Sequence, residues 1–213
     1  MAGTITALIV QKRNKQRVNV YLDDTFAFGL ALDEALHLRR GQVLTDEEGD
    51  RLKALDAAAR AREAALNYLS YRPRSTAEVR DNLRGKDFPD EAIERTIERL
   101  VDLDLLDDEA FARFWVENRE RFKPRSARAL RYELRLKGVP DSAIDLALDG
   151  LDETESAYQA AKQKLRRYAQ SDEETFRRKL GAYLQRRGFS YSVVRDVLDQ
   201  LWQERTADHS SYD

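Results

Sequence analysis

A hydrophobic pattern that recurs every 50 or 51 residues constrains this chain more than any other feature of its sequence. Val79, Leu83, Phe88, Ile93, Ile97 and Leu100 return 51 positions later as Leu130, Leu134, Val139, Ile144, Leu148 and Leu151. They return a further 50 positions on as Leu180, Leu184, Phe189, Val194, Leu198 and Leu201. Breakers keep the same step, with Pro73/Pro124, Ser75/Ser126 and Pro89/Pro140 each 51 apart. A period of this length marks one supersecondary unit, which cannot bury its apolar faces alone and has to stack on its neighbours. Each copy has room for three short helices. The expected fold is mainly α: three tandem three-helix repeats forming an elongated, solenoid-like array.

Local signals agree. Pro73 breaks a first helix, and Ser75-Thr76-Ala77-Glu78 reads as a capping box opening a second. Phe88-Pro89-Asp90 closes that helix and starts a third, whose Ile93, Ile97, Leu100 and Val101 share a face. The first thirty residues are different. Thr4 to Val10, Arg17 to Leu22 and Thr25 to Leu30 are rich in β-formers, and Arg17 to Leu22 alternates with period two. With Asp23-Asp24 as a turn, they predict a small N-terminal β-hairpin region of three antiparallel strands. Thr45-Asp46-Glu47-Glu48 is a second capping box. The expected divisions are a strand region over 1–42, a connecting helix over 43–63, repeats over 64–106, 107–156 and 157–205, and a disordered tail over 206–213.

Composition removes several classes of function. With no cysteine, disulfides, thiolate metal sites and cysteine nucleophiles are excluded. His37 and His209 are the two histidines; the first sits between Leu36 and Leu38 and reads as packed, the second lies in a polar tail. Nucleophile–base catalysis therefore has little to work with, and no catalytic residue, metal site or cofactor is expected. No basic leader and no apolar run near ~20 residues is present, so the chain is expected in the cytoplasm and off membranes. The net charge is −2, from 37 Lys and Arg against 39 Asp and Glu, and this near-balance hides a distribution. From Ala157 onward 11 basic residues face 8 acidic ones, and Lys123 to Lys137 holds six basic residues against the single acid Glu133.

At this point the chain resembles a known family. Arg72-Pro73-Arg74-Ser75, Leu105-Leu106-Asp107-Asp108-Glu109-Ala110-Phe111-Ala112, Glu133-Leu134-Arg135-Leu136-Lys137-Gly138-Val139 and Leu184-Gln185-Arg186-Arg187-Gly188-Phe189-Ser190-Tyr191 resemble the inter-helix motifs of the RecX family. The strand Arg17-Val18-Asn19-Val20-Tyr21-Leu22 resembles that family's N-terminal region. One departure stands out: Asp87 precedes Phe88 where the family pattern has glycine, so the first repeat's turn depends on an Asp accepting a left-handed backbone. The resemblance implies a monomeric, non-enzymatic regulator acting in DNA repair, recombination and the SOS response. It implies binding to the RecA recombinase and its filament on single-stranded DNA, inhibition of ATP hydrolysis and strand exchange, and weak direct DNA binding as a secondary expectation.

Candidate contact residues follow from charge. Arg128, Arg131 and Arg135 fall within about 60° of one another on a helix, away from Ala127, Leu130 and Leu134. With Lys123, Arg125 and Lys137 they form the leading candidate for gripping acidic loops or phosphates. Arg177, Arg178, Arg186 and Arg187 in the third repeat are the second group. The Lys12, Arg13, Lys15, Arg17 turn reads as a soluble hairpin tip. Phe111, Phe114 and Trp115 read as core, and Asp107-Asp108-Glu109 reads as a helix cap in preference to a magnesium site. Two other classes stay open: a transcription-factor-like helical-repeat protein that binds nucleic acid directly, and an enzyme using carboxylates alone.

Overall fold

The computed structural model describes residues 2–168 and 170–210. They fall into two compact units, one from Met1–Arg74 with Glu78–Leu106, the other from Ser75–Ala77 with Asp107–Asp213.

In the first unit, β1 (Gly3–Val10), β2 (Arg17–Leu22) and β3 (Thr25–Ala31) form the expected antiparallel strands. Val18, Val20 and Leu22 turn inward at alternate positions, as the period-two pattern requires. Asp23 and Asp24 both take positive φ, 47° and 65°, the backbone of a tight two-residue hairpin whose twist matches its strands. After the short α1 (Leu32–Ala35) comes a fourth strand, β4 (Val43–Leu44), which extends the sheet to the order β3-β2-β1-β4. Two residues are too few to show a period, which is why the sequence suggested only three strands. His37 departs from expectation: it is exposed, and its neighbour Leu36 is 72% exposed, because the one-turn α1 carries Ala35 inward and releases the residues after it.

The capping box at Thr45 forms in full. Its Oγ1 accepts from the Glu48 N–H at 3.2 Å, and Glu48 Oε2 accepts from the Thr45 N–H at 2.9 Å. The helix it opens, α2 (Asp46–Leu69), runs 24 residues and passes straight through the division expected at residue 63. No Gly or Pro interrupts it there. Its first half is tied to the sheet by Arg17, which reaches Asp56 at 2.8 Å; Arg17 is thus half-buried and does not belong to the solvated turn with Lys12, Arg13 and Lys15. Its second half packs Ala61 and Ala65 against Val79 and Leu83 of α3 (Thr76–Arg84) and Ile93, Ile97 and Leu100 of α4 (Asp90–Asp102). This is the first repeat's core.

The second unit holds two more cores of the same kind. Phe111, Leu130, Leu134 and Ile144 join α5 (Asp108–Phe122), α6 (Ala127–Leu136) and α7 (Asp141–Leu148). Ala157, Ala161, Phe176, Leu180, Leu184, Val194 and Leu198 join α8 (Glu153–Leu165), α9 (Glu173–Arg186) and α10 (Tyr191–Ser210), with a 3-10 turn at Arg166–Tyr168 after α8. Asp107 is a cap: its Oδ1 accepts from the N–H groups of Glu109 and Ala110 at 2.8 and 3.0 Å. Phe111 is buried and Trp115 half-buried, whereas Phe114 turns outward, one step off the core stripe. The turns between the second and third helices superimpose in conformation: Asp87, Gly138 and Gly188 have φ of 60°, 68° and 94°. Asp87 therefore takes the left-handed backbone in place of the family glycine.

The tail also departs from expectation, since α10 continues to Ser210. Arg205 holds it: the guanidinium lies over the Trp202 ring at 4.7 Å and donates to the Ser171 carbonyl at 2.8 Å. The remainder of the expected disordered tail, 211–213, lies outside the described residues. Among the described residues no helix is long and apolar enough to cross a membrane, and no group of three or more His, Asp or Glu is placed to hold a metal ion.

Candidate partner interface

Pro124 and Ser126 set the direction of α6. Ser126 is fully buried, and its hydroxyl accepts from the Ala129 N–H at 3.2 Å, satisfying one donor of the first turn. The third repeat braces this start: the Arg187 guanidinium donates to the Pro124 carbonyl at 2.8 Å and lies over the Tyr183 ring, and the Ser126 N–H donates to the Arg187 carbonyl at 3.2 Å. Gly188 lets this approach happen, because a Cβ there would collide with the Ser126 hydroxyl. Arg187 is thus a packing residue, not a free cation.

With Leu130 and Leu134 sealed in the core, the opposite side of α6 is fixed outward. The basic residues assigned to it divide sharply. Arg131 Nη1 lies 2.6 Å from Asp145 Oδ1, and Arg135 grips Asp141 with two hydrogen bonds of 2.7 and 3.1 Å. Asp141 is held below the usual carboxylate range, first by its hydrogen bond from Arg135 and then by the charges of Arg135 and Arg131. The same contact raises the Arg135 guanidinium further. Identical positions in the first repeat carry the same pairs, Arg80 with Glu94 and Arg84 with Asp90.

Glu133, the single acid of the segment, is a hub. Its Oε2 accepts from Trp115 Nε1 at 2.8 Å and Arg119 Nε at 2.7 Å, while Arg125 Nε sits 3.0 Å from its Oε1. Arg119 and Lys137 cover the Trp115 ring at 4.5 and 4.4 Å. Arg125 and Lys137 are therefore committed to the fold. Lys123 and Arg128 are exposed, and among the described residues their side chains have no partner.

What accompanies Arg128 was not singled out from the sequence. Tyr132 is 65% exposed and Leu136 70% exposed, and both lie on the Arg128 side of α6. Phe122, 57% exposed, precedes Lys123 at the end of α5. The i, i+4, i+8 spacing of Arg128, Tyr132 and Leu136, off the Leu130/Leu134 stripe, was the available signal. The result is a face on which a free guanidinium and two apolar side chains stand together, suited to a partner that is acidic and partly apolar. In the third repeat Arg177 is engaged by Asp199 at 2.6 Å and Glu173 at 2.7 Å, which raise its guanidinium in that order, while Arg178 and Arg186 are exposed.

Comparison with known proteins places these repeats. Four family models match in succession: the regulatory protein RecX N-terminal domain over residues 3–44, and the first, second and third RecX three-helix domains over 61–100, 107–148 and 152–198. A regulatory protein RecX of Clostridium botulinum is 33% identical over 204 residues, covering 92% of this chain and 95% of that protein. One of Prosthecochloris aestuarii is 42% identical over 144 residues, covering 67% of this chain and 93% of that protein. A crystal structure of regulatory protein RecX superimposes with a TM-score of 0.68 at 30% identity, covering 93% of this chain and all of that one.

Proposed function

The chain belongs to the RecX family of regulatory proteins, and from that premise we propose that it binds the RecA recombinase and its filament on single-stranded DNA and restrains ATP hydrolysis and strand exchange in DNA repair and recombination. The observation that carries this reading is the unbroken order of the four family domains along the chain, with near-full-length relatives that are regulatory proteins by name. The protein acts by binding and has no catalysis of its own: it lacks cysteine, and its two histidines are His37 and His209. Its contact surface includes the outer face of α6, where Arg128 and Lys123 supply uncommitted charge and Tyr132 and Leu136 supply apolar area. Arg131 and Arg135 contribute from within their ion pairs.

The test is ATP hydrolysis by the cognate recombinase on single-stranded DNA with increasing amounts of this protein. Inhibition that saturates with a defined stoichiometry supports the reading; unchanged hydrolysis at saturating protein contradicts it. Binding to naked single-stranded DNA, followed against salt, separates filament regulation from simple phosphate binding, because the latter weakens steeply and log-linearly with salt.

A further inference from the structure

The third repeat breaks a rule that the first two keep. In the first repeat the second and third helices are bridged by Arg80–Glu94 and Arg84–Asp90, in the second by Arg131–Asp145 and Arg135–Asp141. Each arginine stands on the second helix of its repeat and each carboxylate on the third. Counting forward by the repeat, the arginine positions become Gly181 and Gln185, and the acid positions become Arg195 and Tyr191. Neither of these two bridges exists in the third repeat, where one acid position carries an arginine and the two helices are joined one turn away by Arg177 and Asp199.

The consequence is an opening. A groove of about 590 Å³ runs between α9 and α10, with Gly181, Ala182 and Gln185 on one wall and Tyr191 and Arg195 on the other. Arg178 stands at its rim and Tyr191 is 73% exposed. Arg195 donates to Asp196, its neighbour in sequence, at 3.0 and 2.9 Å, and the charge of Asp199 also acts on it, in an exposed pair that is easily exchanged. Of the other charges, Arg177 is already occupied by Glu173 and Asp199, and Glu174 is the acid that lines the groove. Asp172 is near Arg178 but is itself spent as the cap of α9, accepting from the Thr175 N–H at 2.7 Å.

We propose that this groove is a docking slot for an acidic segment of a partner protein, in which a partner carboxylate enters beside Gly181 and pairs with Arg195. The first and second repeats show what such a crevice accommodates: an arginine and a carboxylate side chain lying across it. The third repeat supplies the arginine from the opposite helix and leaves the carboxylate to come from outside. Arg178 at the rim adds attraction for the same sign of charge. This goes beyond the proposed regulatory role, because it assigns a second contact surface and the chemistry of what it holds, whatever the partner.

The experiment closes the slot from within. Gly181→Arg combined with Arg195→Glu rebuilds the bridge of the first repeat inside the third. The backbone at Gly181 accepts a side chain, since a Cβ there would sit 3.4 Å from Leu198 and 3.7 Å from Val194, in ordinary contact. The probe is a short fluorescein-labelled peptide rich in Glu and Ala, with its Gln counterpart as control, followed by anisotropy. The parent should bind the Glu peptide in preference to the Gln peptide, and G181R/R195E should weaken that binding about tenfold or more by removing the cation and filling the space. Its thermal melt should match or exceed that of the parent. If the double variant fails to fold, Arg195→Gln, a change at an exposed side chain, carries the same comparison. Equal binding of the two peptides, equal binding by parent and variant, or no binding by the parent overturns the proposal. So does preferential binding of single-stranded oligothymidylate that G181R/R195E abolishes. No recombinase is present, so this outcome is independent of the proposed function.

Discussion

The second and third repeats share a core and differ at their surfaces. Leu130, Leu134 and Ile144 in one stand where Leu180, Leu184 and Val194 stand in the other, all nearly or fully buried. Yet the second repeat covers the seam between its last two helices with two arginine–carboxylate bridges and turns Arg128, Tyr132 and Leu136 to solvent, whereas the third lacks both, bridges its seam one turn away through Arg177 and Asp199, and leaves a groove beside that pair. Each repeat thus keeps its own core constant, because its three helices bury the same stripes, and varies the exposed positions, where a substitution costs little stability.

The comparison is tested first at the shared core. Leu134→Ala and Leu184→Ala should each destabilise the protein by roughly 2–5 kcal/mol in denaturant unfolding, since both side chains are fully buried and leave a cavity. A markedly cheaper Leu184→Ala would break the equivalence of the two cores. Gly188→Ala comes next. It forces an L-residue into φ 94° and drives a methyl against the Ser126 hydroxyl, for an expected loss of about 1–3 kcal/mol by thermal or denaturant melts.

Acid titration sharpens the surface difference. Glu94 is held below its ordinary value by the hydrogen bond from Arg80, and Asp141 by that from Arg135. Carboxyls depressed in the folded state stabilise it fully above their unfolded values, and that contribution fades as pH falls through the folded ones. Melts from neutral pH down to about pH 3 should therefore fall, and Arg80→Gln or Arg135→Gln should flatten the acid limb. The Gln185→Ala variant, at the position equivalent to Arg135 in the repeat that lacks these two bridges, should leave that limb unchanged. The smallest effect is expected at Asp87, where Gly relieves a left-handed L-residue: Asp87→Gly should gain up to about 1 kcal/mol in the same melts.

How far the sequence could be read depended on whether a residue's partner was close in the pattern. The three cores were legible because the leucines and isoleucines recur with helical spacing inside a fixed repeat, and the left-handed turn at Asp87 was legible because Gly138 and Gly188 mark its equivalents. The basic stripe was less so. Counting charges along 123–137 shows one acid, but the carboxylates that neutralise Arg131 and Arg135 come from Asp145 and Asp141 on the following helix. Glu133 looked like an interruption and is the acceptor for Trp115 and Arg119. Leu36, Phe114, Tyr132 and Leu136 are apolar by type and exposed by position, so composition favoured burying them; only angular placement against the Leu130/Leu134 stripe separates the last two from the core.

The outer face of α6 is the proposed contact surface, and one titration addresses it. Arg128→Glu with Tyr132→Ser replaces one unpaired cation and one exposed ring, leaving the Arg131–Asp145 and Arg135–Asp141 bridges and the core intact. Inhibition of the recombinase's ATP hydrolysis on single-stranded DNA is then measured for parent and variant at the same moderate salt, after melts establish equal folding. The expected result is a shift of the inhibitory concentration by about tenfold or more, the scale of losing a charged and an aromatic contact at an interface. Inhibition by the variant at the parent's concentration would contradict the account and reduce this face to solvated surface.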